Sequence, residues 1–224
     1  MTLDVSIRVG LKGVDPVIST AFLTLTEKMG YQGRLLGLNR LESYEFSAEC
    51  RDQDSTLEPL RRMLATRTTF YNRNKNNYFV EYRWNGRKQV EGLALATLES
   101  LAGQVKRWAA LGRAGDLDSQ GSASRVILHR APVFRSEVLV EDIDTVAKTA
   151  LAAQLASELG ATAVKVSELG VRWYLALRVG SEDDARRVTR EIAVAEARDR
   201  GILLNPNHQR YTLLSLDPME LNTA

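Results

Sequence analysis

Two short stretches hold the side chains best suited to recognising something. NRNKNN, residues 72–77, mixes amides with Arg73 and Lys75; LLNPNH, residues 203–208, holds Asn205, Pro206 and Asn207. Amides and cations in a turn offer donors to a phosphate or to an acidic partner surface. Arg73, Asn74, Lys75, Asn205, Pro206 and Asn207 are therefore the candidate partner-binding residues. Asn-rich turns also have a plainer origin, because an Asn side chain hydrogen-bonds its own backbone. A second pattern overlaps the first. Tyr71, Tyr78, Tyr82 and Trp84 interleave with Arg73, Lys75, Arg83 and Arg87, an arrangement that can stack single-stranded RNA bases on an open sheet. No RNP-like octamer of glycine and aromatic residues accompanies it, and aromatics at alternate strand positions more often serve a core or an interface.

Residue types for covalent or metal chemistry are sparse. Cys50 is the single cysteine and ends an alternating run with Tyr44, Phe46 and Ala48. That is the setting of a small buried hydrophobe rather than a nucleophile. His129 and His208 stand far apart, with no Cys, His or Asp at zinc-ligand spacing. No glycine-rich phosphate loop of the Walker type is present. The expectation is a chain with no catalytic residues, metal site or cofactor of its own.

The 224 residues suit one large domain or two small ones with a connector. A net charge of +2 is too even to argue for nucleic acid, although residues 61–88 carry eight basic residues against the single acid Glu81. Such a run is usually a solvated face. MTLDVSIRV does not read as a signal peptide, no apolar run approaches a membrane span, and the expected location is the cytoplasm.

The positioning elements follow from periodicity. Leu3, Val5, Ile7, Val9 and Leu11 alternate as a strand. Asp15-Pro16 opens a helix with Ile18, Ala21, Phe22, Leu25 and Met29 on one stripe, and Gly30 ends it. Strands are expected at 34–38 and 41–50. A helix follows in which Pro59 belongs to the first turn and Leu60, Met63 and Leu64 face inward, and a strand comes next at 78–84. The series then repeats: a strand at 126–134, a helix at 142–159 with Ile143, Ala147, Leu151, Leu155 and Leu159 at steps of four, and strands at 163–168 and 171–179. A helix capped by Ser181 and Asp184 runs to about 199 with Ala185, Val188, Ile192 and Ala195 inward. Last come the Asn205 turn and a strand with Tyr211, Leu213 and Ser215 facing one way. Gly30 matches Gly160 at an offset of 130, Tyr44 matches Trp173 at 129, and Asn72 matches Asn205 at 133. Between the copies, Ala94, Leu98, Leu101, Val105 and Trp108 fall on one face of a helix expected at 91–111. GRAGDLDSQGSAS, residues 112–124, reads as a flexible linker.

A β-α-β-β-α-β order implies a ferredoxin-like sheet with both helices on one face. The expected class is α+β: two tandem modules, at 1–84 and 125–217, joined by a helical connector at 85–124 and followed by a tail at 218–224. LKGVDP at 11–16, MGY at 29–31 and LLNP at 203–206 make the chain resemble the PurS subunit family of phosphoribosylformylglycinamidine synthase, here duplicated. The Gly-Lys pair of that family is replaced by Asn39-Arg40, and the second copy has Glu141 and Asp142 near the place of the Asp-Pro turn. The resemblance implies a non-catalytic subunit of purine biosynthesis that bridges glutaminase and synthetase subunits, with homo-oligomers also possible and nucleic acid disfavoured. The alternative is a tandem ferredoxin-like module that senses a small ligand or RNA. Fold alone does not choose between them.

Overall fold

The computed structural model describes residues 1–52, 54–66, 70, 72, 75–84, 87–92, 131–194 and 201–219. The elements are β1 (Thr2–Leu11), α1 (Pro16–Leu23) with a π-helical continuation Thr24–Lys28, β2 (Leu35–Glu49), α2 (Asp54–Thr66), β3 (Asn76–Trp84) and β4 (Arg87–Gly92). Then come β5 (Val133–Asp142), α3 (Val146–Leu159), β6 (Ala163–Arg178), α4 (Glu182–Ala193) and β7 (Gln209–Met219). The class is α+β, and the strands hydrogen-bond in the order β4-β3-β1-β2-β6-β5-β7.

The described residues pack as two compact units, and neither unit follows chain order. Unit 1 contains Met1–Val14, the described part of 41–92, and Glu141–Val171; unit 2 contains Asp15–Arg40, 131–140 and 172–219. The long strand β2 therefore gives 35–40 to unit 2 and 41–49 to unit 1, and β6 gives 163–171 to unit 1 and 172–178 to unit 2. Unit 1 takes α3 from the second half of the chain, and unit 2 takes α1 from the first.

In unit 1, β1 is antiparallel to both neighbours, with Val5 opposite Phe46 and Tyr82. Alternation sends Leu3, Val5, Ile7 and Val9 to one face, where they pack with Phe46, Ala48, Val80, Tyr82 and Trp84. Leu57, Leu60, Met63 and Leu64 of α2 and Leu155 and Leu159 of α3 complete this core. Full burial of one such side chain is worth roughly 1.5–3 kcal/mol. Cys50 is in the core.

In unit 2, β2 neighbours β6 in the sheet, and Arg178 N–H donates to the carbonyl of Arg34, just before β2, at 2.7 Å. Trp173, Leu175 and Leu177 are buried, as are Ala185, Val188 and Ile192 of α4. Thr189 Oγ1, on the same buried side of α4, donates to Ser136 Oγ of β5 at 3.0 Å. Ser181 caps α4 by accepting from Asp184 N–H at 3.1 Å; Arg187 first, then Ser181, holds the Asp184 carboxyl below its ordinary range.

Several expectations need correction. The strands expected at 34–38 and 41–50 are one strand, because Asn39-Arg40 sits between leucines and supplies no turn. Those at 163–168 and 171–179 also merge, across Gly170. Of the strand expected at 126–134, residues 126–130 lie outside the described residues, and β5 runs from Val133 to Asp142. Pro132 has no N–H to give a ladder and stays outside, its carbonyl accepting from Val179 N–H at 3.2 Å. Val133, the first residue of β5, stands at an offset of 131 from Thr2, the first residue of β1, in line with the other matches. Pro59 lies inside α2, which starts at Asp54, so the helix forgoes one backbone bond. Ile143 precedes α3 and is exposed, leaving Leu151, Leu155 and Leu159 as the inward stripe. The strand β4 falls within 85–124, where a helical connector was expected. Most of the helix expected at 91–111, all of the linker at 112–124, and Ala195 lie outside the described residues.

Candidate functional site

The two Asn turns are built alike. In the first, the Asn72 carbonyl accepts from Lys75 N–H at 2.9 Å and Asn76 N–H at 2.7 Å, while Asn72 N–H donates to Asn76 Oδ1 at 2.8 Å. In the second, the Asn205 carbonyl accepts from His208 N–H at 3.0 Å and Gln209 N–H at 2.8 Å, while Asn205 N–H donates to Gln209 Oε1 at 3.2 Å. Each first Asn thus binds backbone three and four residues on, and a side-chain carbonyl four residues on. Asn207 N–H adds a bond to Asn205 Oδ1 at 3.1 Å. Much of the amide content of these turns is therefore used in making them.

Of the candidate residues, Asn205, Pro206 and Asn207 share one exposed turn of unit 2. Lys75 is exposed at the entry to β3 in unit 1, and its carbonyl accepts from Lys12 N–H at 2.9 Å. Arg73 and Asn74 lie outside the described residues. The aromatic pattern resolves differently: Tyr82 and Trp84 are core residues, facing away from Glu81 and Arg83. They offer no stacking platform on the open face.

That open face of unit 1 forms a polar groove of about 440 Å³, lined by Asp4, Ser6, Arg8, Glu45, Arg83 and Ser167 among others. Sequence reading passed it over, because outward-facing residues at every second position of β1, β2 and β3 look like ordinary solvent-side residues. Arg8 donates to Glu45 Oε1 at 2.5 Å, Arg83 to Glu81 Oε1 at 3.2 Å, and Ser47 Oγ to Asp4 Oδ1 at 2.6 Å. Guanidinium groups answered by carboxylates suit a mixed polar ligand or surface better than a polyanion.

Unit 2 joins two positions that sequence reading noted separately. Asp15 Oδ1 caps α1, accepting from Val17 N–H at 2.8 Å. Its Oδ2 accepts from Arg40 Nε at 2.7 Å, and the Arg40 guanidinium lies 5.8 Å from the Trp173 ring centroid. Asp15 is 9 % exposed and is occupied by these contacts, which make it a structural cap.

Tyr44 Oη donates to Glu42 Oε2 at 3.1 Å, and its ring meets Phe70 edge-on at 5.0 Å. Burial first, then the charge of Glu42 and that hydrogen bond, pushes the phenol well above its ordinary 10.0. The fold favours the neutral form. Its contribution is complete below about pH 10 and is lost as pH rises towards the folded value, since the unfolded chain gives up the proton first. We expect the melting temperature to fall above about pH 10 more steeply in the wild type than in Tyr44→Phe. Equal slopes in calorimetry would count against this.

Among the described residues, no group of three His, Cys, Asp or Glu side chains is arranged to hold a metal ion, and no helix is long and apolar enough to cross a membrane. Compared with family models, with curated proteins and with solved structures, the chain gives no match in any of the three.

Proposed function

We propose that the chain is a duplicated, PurS-like bridging subunit of a cytoplasmic ATP-dependent amidotransferase, with no catalytic site of its own. Each unit reads as one ferredoxin-like module. Unit 1 has the order β3-β1-β2-β6, and unit 2 has β7-β5-β6-β2; in both, the first strand of a repeat lies between its last strand and its long strand. The observation that carries the reading is the set of three matching hydrogen bonds made by Asn72 and Asn205 at the offset read from sequence. The second of these turns bears the Leu-Leu-Asn-Pro resemblance, and the Leu-Lys-Gly-Val-Asp-Pro resemblance forms the cap of α1. A helix–strand segment exchanged between repeats is a low-cost way to pair two modules, and fusion into one chain raises their effective concentration.

A small-ligand sensor is the second reading, and the groove of unit 1 favours it. Affinity purification of the tagged chain from its native host, read by mass spectrometry, separates the two. We expect glutaminase and synthetase subunits to co-elute, and the purified chain to release no ammonia from glutamine and no phosphate from ATP. Reversing Lys75 to Glu is expected to weaken that recovery while leaving the melting temperature nearly unchanged, since an exposed charge adds little stability. Recovery without either subunit would overturn the bridging reading.

A further inference from the structure

On the open face of unit 1 the strand register sets polar side chains in rows. Arg83 of β3 stands directly opposite Asp4 of β1, and Asp4 stands opposite Ser47 of β2. The next row is Glu81, Ser6 and Glu45. Directly opposed residues have Cβ atoms about 4.5–5.5 Å apart, and an acid facing a base there is a favourable pair. Asp4 and Arg83 nevertheless reach away from each other. Arg83 turns along its own strand, where its Nη2 donates to Glu81 Oε1 at 3.2 Å. Asp4 turns to β2, where its Oδ1 accepts from Ser47 Oγ at 2.6 Å. Among the described residues, nothing hydrogen-bonds Asp4 Oδ2, Ser6 Oγ, or the Nε and Nη1 of Arg83.

These spare groups belong to the polar groove of about 440 Å³, a size within the range of roughly 300–1,000 Å³ usual for small-molecule sites. They set a carboxylate oxygen and a guanidinium side by side, with the small Ser6 next to Asp4 on the same face of β1. A simple anion on Arg83 would be repelled by Asp4, and a simple cation on Asp4 by Arg83. A ligand carrying both charges on neighbouring atoms satisfies both. We propose that this groove binds a free α-amino acid as its zwitterion. The carboxylate takes the remaining N–H groups of Arg83, the ammonium donates to Asp4 Oδ2, and the amino-acid side chain passes over Ser6. Each contact is a charge-assisted hydrogen bond, and neither displaces the bonds to Glu81 and Ser47. The inference rests on the small-ligand reading of the groove and is independent of the bridging reading, which co-elution tests separately.

The test is isothermal titration calorimetry of the purified full chain with each of the twenty standard L-amino acids. At least one is expected to bind with a Kd of about 1 mM or tighter. For that amino acid, the carboxamide removes the anion and the N-acetyl derivative removes the cation, and each is expected to bind at least about tenfold more weakly. Arg83→Gln and Asp4→Asn are each expected to weaken the parent amino acid by a similar factor. Asn at position 4 retains an acceptor for Ser47, and unchanged circular dichroism and melting temperature would show that both variants keep the fold. If either variant fails to fold, the two derivatives on the wild-type chain decide alone. Binding by none of the twenty, derivatives that bind as tightly as the parent, or binding indifferent to both substitutions in folded variants would overturn the proposal. None of these results bears on whether glutaminase and synthetase subunits co-elute.

Discussion

Phe46→Ala is expected to destabilise the protein by about 3–5 kcal/mol, among the largest single effects in unit 1. Phe46 is 2 % exposed. It stands opposite Val5 in the ladder and stacks at 6.5 Å on Phe70, which also meets Tyr44. The core cluster it belongs to is drawn from β1, β2, β3 and two helices, so the void cannot close by one element moving inward. The loss therefore combines the transfer energy with a cavity left largely open. Urea denaturation followed by circular dichroism should show a lower midpoint with an unchanged slope. A loss below about 1 kcal/mol would mean that the core relaxes around the gap.

Glu168→Ala is expected to cost about 2–4 kcal/mol, for an electrostatic reason. Glu168 is 5 % exposed and Ser43 is fully buried. Ser43 Oγ donates to Glu168 Oε1, and the Arg8 guanidinium lies 3.9 Å from the same oxygen. Removing the carboxylate leaves a buried hydroxyl without this acceptor and a nearly buried cation with less compensation. Glu45 still holds Arg8 at 2.5 Å, which keeps the loss below that of a wholly orphaned charge. Glu168→Gln, which retains an acceptor, should cost less. The double variant with Ser43→Ala should cost less than the two single losses combined, because the acceptor and donor disappear together. Strict additivity in the same denaturation assay would mean that the pair does not act as a unit.

These effects fall where the sequence was readable to different degrees. The alternation of Leu3 to Val9 and the stripe of Leu151, Leu155 and Leu159 identify core residues, because a period of two or of about four is a local property of the chain. The cap at Asp15 and the stop at Gly30, whose φ is 76°, are local too. The course of β2 is not. The stretches 34–38 and 41–50 on either side of Asn39-Arg40 look like two strands whether the chain turns there or runs on, and only the neighbour β6 decides. The same is true of Glu168, whose environment is set by Arg8 and Ser43, more than a hundred positions away. The groove was illegible because it arises from four strands, β1, β2, β3 and β6, lying side by side. The Asn turns were the reverse case: their matching spacing was plain in the sequence, while the use of their amides for self-bonding became clear only in three dimensions.

The division of β2 and β6 between the two units has a consequence for synthesis. A chain that has emerged from the ribosome as far as residue 124 has completed no unit, because unit 1 still lacks Glu141–Val171. The first repeat must therefore wait, with Leu57, Leu60 and the inner side of β1 short of their α3 partners, until translation has passed residue 171. Cutting the gene between the repeats would not release two independent domains. It would yield two incomplete polypeptides, each holding a helix and half a long strand that the other requires, and they should regain their native cores only when made together.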